Sequence, residues 1–216
     1  MTLGILCGLE SEAKIARRVH KALVACAGAR PALARQLAAQ MIRDGATRMV
    51  SFGIAGGLAP HMGIASIAVG HFICSEKGSF EGDSEWADAI ASRLGNQARR
   101  CRVWGSETLV ATTKEKRMLH QTMACDIVDM ESQCMAEVAS EAKIPFAVLR
   151  AICDASDHEV PTVVMASIAD DGSVNILAAL RNLALNPAQI PYLLQVSRGV
   201  KKALIALDGT RSALAA

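Results

Sequence analysis

The sequence predicts an α/β layer protein. Short apolar runs of strand length alternate with longer segments whose apolar residues fall three and four apart, the arrangement of strands covered on both faces by helices. Composition agrees: hydrophobic residues make up 51% and aromatics 3%, with 38 alanines, a helix-heavy globular balance. Length sets the scale, since 216 residues against about 150 per domain give one domain over residues 1–216.

The elements follow in order. An apolar run predicts a strand at Leu3–Cys7, and amphipathic spacing predicts a helix at Glu12–Lys21. A strand at Leu23–Ala27 then leads to a helix at Pro31–Arg43. The apolar runs Met49–Ile54 and Ile67–Cys74 read as strands, and Ser84–Leu94 as a helix. Arg102–Trp104 and Asp126–Val128 are short strands separated by a helix at Lys114–Gln121. A helix at Glu131–Ala142, with Met135, Val138 and Ala139 on its apolar side, precedes the strand Phe146–Ile152. Beyond Asn175 the strands stop: two helical stretches, Ile176–Leu185 and Ile190–Leu207, flank Asn186-Pro187 and form a helical C-terminal extension over residues 175–207. The tail from Asp208 to Ala216 is expected to fray.

Charge and cysteine usage exclude several classes. Twenty-three Lys+Arg against 21 Asp+Glu leave +2, too little for the electrostatic footprint of a nucleic-acid binder. The mean hydropathy of +0.27 is high, yet charges interrupt every apolar run well short of the ~18 residues a spanning helix needs. The first ten residues lack a basic region and reach Glu10, unlike a secretory signal. Seven cysteines without Cys-x-x-Cys or paired His spacing predict neither a disulfide framework nor a zinc site, but buried thiols in a cytoplasmic protein. The five histidines are dispersed and read as surface or satisfied residues.

Four strand ends could carry chemistry, because ligands of open α/β sheets bind beyond the carboxyl ends of strands. At Cys7-Gly8-Leu9-Glu10-Ser11-Glu12 a strand meets a glycine and then two carboxylates, read either as helix-start acids or as a carboxylate held over a polar ligand. At Gly53-Ile54-Ala55-Gly56-Gly57 the glycines allow a ligand to approach the backbone, or make a tight structural turn; the pattern is neither a Walker A loop nor a dinucleotide fingerprint. At Asp129-Met130-Glu131-Ser132, Glu131 could accept both hydroxyls of a sugar diol, or the segment could simply cap a helix. The apolar strand at Phe146–Ile152 delivers Asp154, where burial would raise its pKa and suit a general acid; a loop aspartate is the alternative.

Taken together, these segments resemble the nucleoside phosphorylase and nucleosidase superfamily, in particular its adenosine-type nucleosidases, across roughly residues 1–160. The likeness runs through Gly-Leu-Glu-Ser-Glu, Gly-Ile-Ala-Gly-Gly-Leu, Asp-Met-Glu and Arg-Ala-Ile-Cys-Asp-x-x-Asp. It implies a three-layer sandwich with a central mixed sheet and a homo-oligomer of at least two chains, with neighbouring subunits completing each other's sites. It also implies roles. Asp154 would protonate N7 of a departing purine, Glu131 would hold the ribose 2′ and 3′ hydroxyls with Met130 beside the sugar, and Glu12 would orient the nucleophile. Gly8, Ala55, Gly56 and Cys153 would line the site, and Leu109 and Val110 would flank the base. No metal or organic cofactor is implied; inorganic phosphate is the candidate cosubstrate.

The whole chain, including Asp170-Asp171-Gly172, Ala179–Leu183 and Asn186–Pro191, further resembles the hopanoid-associated phosphorylases. That likeness implies adenosylhopane as substrate, adenine as one product and a ribosyl hopane, phosphorylated if phosphate attacks, as the other. A hydrolytic 5′-methylthioadenosine or S-adenosylhomocysteine nucleosidase is the alternative. Ser51 and Ile54 stand where the phosphorylases carry a phosphate-binding arginine and serine, and Glu12 stands at another arginine position; Lys14, Arg17 and Arg30 are the nearest substitute cations. The helix Ile190–Leu207 mixes Leu193, Leu194, Val196, Val200, Leu204 and Ile205 with Arg198, Lys201 and Lys202. It reads either as a membrane-surface or lipid-entry helix, which would make the protein membrane-peripheral, or as a helix docked on the domain with a basic outer face.

Overall fold

The computed structural model describes residues 1–161 and 190–214. Eight strands among these residues form one mixed sheet: β1 (Leu3–Cys7), β2 (Ala22–Cys26), β3 (Arg48–Gly57), β4 (Ile67–Ser75), β5 (Gly78–Glu81), β6 (Ala98–Gly105), β7 (Ile127–Asp129) and β8 (Phe146–Asp154). The helices are α1 (Glu10–Ala16), α2 (Pro31–Arg43), α3 (Ser84–Leu94), α4 (Thr113–Met123), α5 (Ser132–Glu141) and α6 (Ile190–Asp208). The order is β2-β1-β3-β7-β6-β4-β5, and β8 pairs with both β3 and β4. Since β3 pairs with β7, β7 with β6, β6 with β4 and β4 with β8, the path from β3 through β8 back to β3 closes into a ring.

Alternation along the strands builds two cores. In β8, Phe146, Val148 and Ile152 face one core with Ala34, Ala38 and Met41 of α2 and Met135, Ala136 and Ala139 of α5. Ala147, Leu149 and Ala151 face the other, with Ala13 and Ala16 of α1, Ala87 and Ile90 of α3, and Ala203 and Leu207 of α6. Helices therefore cover both faces, as expected of a three-layer sandwich.

Local chemistry sets the helix starts. Pro31 opens α2, the Asp83 carboxylate accepts the Trp86 N–H at 2.9 Å to start α3, and Thr112 with Glu115 forms a capping box on α4. Four expectations differ from the structure. The helix expected at Glu12–Lys21 spans Glu10–Ala16, and Lys21 takes a left-handed turn at φ 56 before β2. The strand β5 was not expected; it returns antiparallel on β4 through a tight turn in which Gly78 has φ +128. The glycine-rich run read as a loop is the end of β3, which stays paired with β7 at Gly56↔Val128 and Gly57↔Ile127. As far as Leu214 the tail does not fray: Arg211–Leu214 forms a 3₁₀ turn with Ala213 and Leu214 buried, and Arg93 donates to the Ala213 carbonyl at 3.0 Å.

The second helix of the C-terminal extension is α6, while Ile176–Leu185 and the segments at Asp170 and Asn186 lie outside the described residues. α6 is docked on the domain. Gly199, Ala203 and Leu207 turn inward, whereas Leu194, Arg198, Lys201 and Ile205, at helical spacing, form an exposed stripe. Among the described residues, no helix is long and apolar enough to cross a membrane.

Candidate functional site

Six buried charged side chains, Glu12, Lys116, Asp129, Glu131, Arg150 and Asp154, collect around β1, β3, β7 and β8. Glu12 enters from the first turn of α1. Its Oε2 accepts the backbone N–H of Gly8 at 2.9 Å and of Leu9 at 2.8 Å, which fixes the helix start, and its Oε1 accepts the Ile54 N–H of β3 at 2.8 Å. The helix-start alternative for Glu12 thus holds for one oxygen, while the other bonds across to β3. Burial raises the pKa of this carboxyl, against the pull of Arg150 and the three backbone donors.

Asp129 closes β7 and caps α5, its Oδ1 accepting the Ser132 N–H at 3.0 Å and its Oδ2 the Ser132 hydroxyl. Met130 follows, half-buried, and Glu131 comes next, with 5% of its surface exposed. Glu131 reaches across to β1, where a Cβ on Gly8 would lie 2.5 Å from its Oε1. A glycine is required there because the carboxylate occupies the space of a side chain. Burial pushes the Glu131 carboxyl up to about 7; Arg150 pulls it down, while the charges of Asp129 and Glu12 add to the rise.

Arg150 ties these acids together. It lies in the row Phe146, Val148, Arg150, Ile152 on the α5 side of β8 and is fully buried. Its Nη2 donates to Ser51 Oγ at 2.6 Å and Glu131 Oε2 at 3.2 Å, and its Nε lies 2.7 Å from Asp129 Oδ2 as an ion pair rather than an aligned hydrogen bond. Burial opposes its charge, but Asp129, Glu131 and Glu12 outweigh that penalty and raise its pKa. Gly53 leaves room for the group: a Cβ there would fall on Arg150 Nη1 and 2.6 Å from the Glu12 carboxyl.

Asp154 stands at the end of β8, 8% exposed, with Gly56 beside it so that a Cβ there would lie 3.1 Å from Oδ2. Cys153 Sγ donates to Asp154 Oδ1 at 3.0 Å and to the Ala55 carbonyl at 3.4 Å. Burial first, and then the Asp154 charge, push that thiol's pKa well up, so it stays protonated as a donor. Lys116 of α4 is fully buried and donates to Asp154 Oδ2, to the Ala155 carbonyl at 3.0 Å and to the His158 carbonyl at 2.8 Å.

The fold brings together Gly8, Glu12, Ala55, Gly56, Met130, Glu131, Cys153 and Asp154. Val110 packs with Leu58, Trp104 and Val128 on the β6–α4 side, and Leu109 is half-buried next to it in the loop. The substitute cations lie at the surface. Lys14 and Arg30 are exposed, and Arg17 is exposed and paired with Glu10 at 2.5 Å. Arg150 and Lys116 are the buried cations of this cluster that sequence reasoning missed as site candidates. Each had a signal, a charge occupying an inward-facing position of an otherwise apolar strand or helix face.

The arrangement offers a buried carboxylate, Asp154, at the end of the strand whose Arg150 holds two further carboxylates, Asp129 and Glu131. Comparisons give this geometry a family. The chain superimposes on the futalosine hydrolase of Helicobacter pylori with a TM-score of 0.74 at 14% identity, covering 99% of this chain and 97% of that one. It superimposes on the 5′-methylthioadenosine/S-adenosylhomocysteine nucleosidase of Helicobacter pylori with a TM-score of 0.75 at 14% identity (99% and 97% covered). The corresponding enzyme of Neisseria meningitidis, solved with methylthio-immucillin-A, gives 0.74 at 14% identity (98% and 96% covered). No curated protein matches the chain in sequence. Residues 14–184, which hold Arg150 and most of the carboxylates just described, match the model of the phosphorylase superfamily, and the chain belongs to that superfamily.

Proposed function

We propose that the protein cleaves the N-glycosidic bond of a purine nucleoside, and that the nucleoside is adenosylhopane. Asp154, buried at the end of β8, the strand that also carries Arg150 of the Glu131–Arg150–Glu12 cluster, is the observation that carries the first half of this reading. Bond cleavage leaves an electron-rich base and an oxocarbenium-like sugar, so an acid must meet the base and negative groups must meet the sugar. Asp154 protonates the leaving purine at N7. Glu131 accepts the ribose 2′ and 3′ hydroxyls, and Met130 packs beside the ring. Glu12, anchored at both oxygens, orients the attacking group.

The lipid-tailed substrate rests on the likeness to hopanoid-associated phosphorylases and draws support from α6, whose exposed Leu194 and Ile205 flank Arg198 and Lys201 beside the strand that carries Asp154. An apolar and basic stripe of this kind suits contact with a membrane surface that delivers the tail. Phosphate as attacking species comes from the same likeness, and a homo-oligomer, at least a dimer, is proposed on the superfamily's habit. One observation favours a second reading, hydrolysis of a smaller nucleoside such as 5′-methylthioadenosine. The single guanidinium of the cluster already serves Asp129 and Glu131, and Glu12 adds a third acid, a setting that favours neutral water over an anion.

The test incubates the protein with adenosylhopane and, separately, with 5′-methylthioadenosine, each with and without phosphate, and identifies adenine and the sugar product by mass. Phosphate-dependent adenine release from adenosylhopane is expected. Release from 5′-methylthioadenosine alone, without phosphate, selects the second reading, and no adenine from either nucleoside overturns both. Asp154→Asn should lose most turnover in this assay while still binding substrate.

A further inference from the structure

Lys116 and Arg150 are the two fully buried cations among the described residues, and the reaction as drawn gives Lys116 no part. The other charges on this stretch of α4, Lys114, Glu115 and Arg117, are exposed, whereas Lys116 shares the inner face with Leu119. Its three ammonium protons have three acceptors: Asp154 Oδ2, the Ala155 carbonyl and the His158 carbonyl. Stability alone does not ask for this. Replacing a buried ion pair with apolar groups of similar volume is often neutral or stabilising.

Asp154 is therefore gripped from two sides, by the Cys153 thiol at Oδ1 and by the Lys116 ammonium at Oδ2. Of these two donors, the ammonium carries the extra proton that a general acid must hand on. We infer that Lys116 is a positioning residue that supplies the proton Asp154 delivers to the leaving base; the inference rests on the purine-nucleoside reading above. As the C1′–N9 bond breaks, its electron pair goes to the base, the Lys116 Nζ proton passes to the Asp154 carboxylate and from there to N7, and Asp154 ends as the carboxylate it began as. Lysine ends neutral and the base leaves uncharged. The proton is restored from the attacking water in hydrolysis, or from solvent when phosphate attacks. The other ionisable groups around the pair are Cys153 on β8, His158 in the loop beyond it, His120 one turn along α4 with its Nδ1 on the Cys125 carbonyl, and Glu12, whose charge reaches Cys153.

The test measures kcat against pH for wild type, Lys116→Met and Lys116→Arg, on whichever nucleoside the wild type cleaves, with folding of each variant checked by circular dichroism. The wild-type profile is the reference against which the basic limb of each variant is read. In Lys116→Met the acid is Asp154 alone; the basic limb should move down by about two units or more, and kcat at pH 8 should fall roughly 10²–10⁴-fold. Lys116→Arg keeps the positive charge but has no proton to give, so it should not restore turnover. A basic limb that stays in place in Lys116→Met, or wild-type turnover in Lys116→Arg, overturns the inference and leaves the proposed function standing. A wild type that releases no adenine from either nucleoside overturns both. If the variants are too slow to assay or do not fold, nitrogen NMR of the wild-type Lys116 ammonium replaces them. Its resonance should shift when adenine binds, and a resonance indifferent to adenine overturns the inference.

Discussion

Glu131 shows how one side chain can carry a conflict that sequence alone does not reveal. Its position after Asp129-Met130 was legible, and so was the capping role of its neighbour, because spacing relative to a helix start is written locally. What the spacing hides is Arg150, drawn from a strand almost twenty residues later, because a charge in a sequence reads as exposed until its partners are in place. The same holds for Lys116, whose acceptors lie on the far side of the chain from α4. With the folded Glu131 carboxyl at about 7 and an unfolded one near 4.3, the folded protein binds the extra proton between these values. The sign follows: this residue's contribution to stability declines as pH rises from about 4 to about 7 and is level beyond. Sugar hydroxyls need the ionised form, so KM for the nucleoside should fall as pH rises through about 7. Glu131→Gln should raise KM and flatten that dependence, and steady-state kinetics from pH 5.5 to 8.5 checks both.

Elements with one strong local signal were read well. The helices Pro31–Arg43 and Ser84–Leu94 and the strand Leu3–Cys7 have the expected bounds, because a proline, an aspartate cap or an unbroken apolar run marks each end. Elements defined by their neighbours were not. β5 is short and largely exposed, so it exists as an antiparallel return on β4 rather than as an apolar run. The last residues of β3 are glycines because β7 and Asp154 crowd them, and a Cβ on Gly57 would lie 2.6 Å from the Met62 carbonyl. α6 depends on one such contact. A Cβ on Gly199 would collide with the Cys153 carbonyl, one residue from the acid. Gly199→Ala gains about 1 kcal/mol in helix propensity but should lose about 1–3 kcal/mol to overpacking. The expected result is a lower melting temperature together with a lower kcat, while Gly63→Ala, which meets open space, should change neither by calorimetry or assay.

At the level of the whole molecule, composition and alternation were enough to give layers, and the two cores follow from which face each strand residue turns to. Where the tail goes was not legible, since Ala213 and Leu214 find their burial against α3 and not within their own segment. The last turns also tie distant parts together, with Asp208 pairing with Arg18 at 2.8 Å and Arg211 at 2.7 Å. Removing residues 209–216 should cost about 2–4 kcal/mol from lost burial and hydrogen bonding. Thermal unfolding should then come roughly 4–15 °C earlier. The closed ring of strands has a different consequence, for a chain still emerging from the ribosome. β1, β2 and β3 can pair early, but one edge of β3 and one edge of β4 wait for β8. Exposed edges of that kind invite other chains until they are filled. The strand that fills both ends in Asp154, so a nascent chain seals its sheet and places the residue proposed as its acid in a single event.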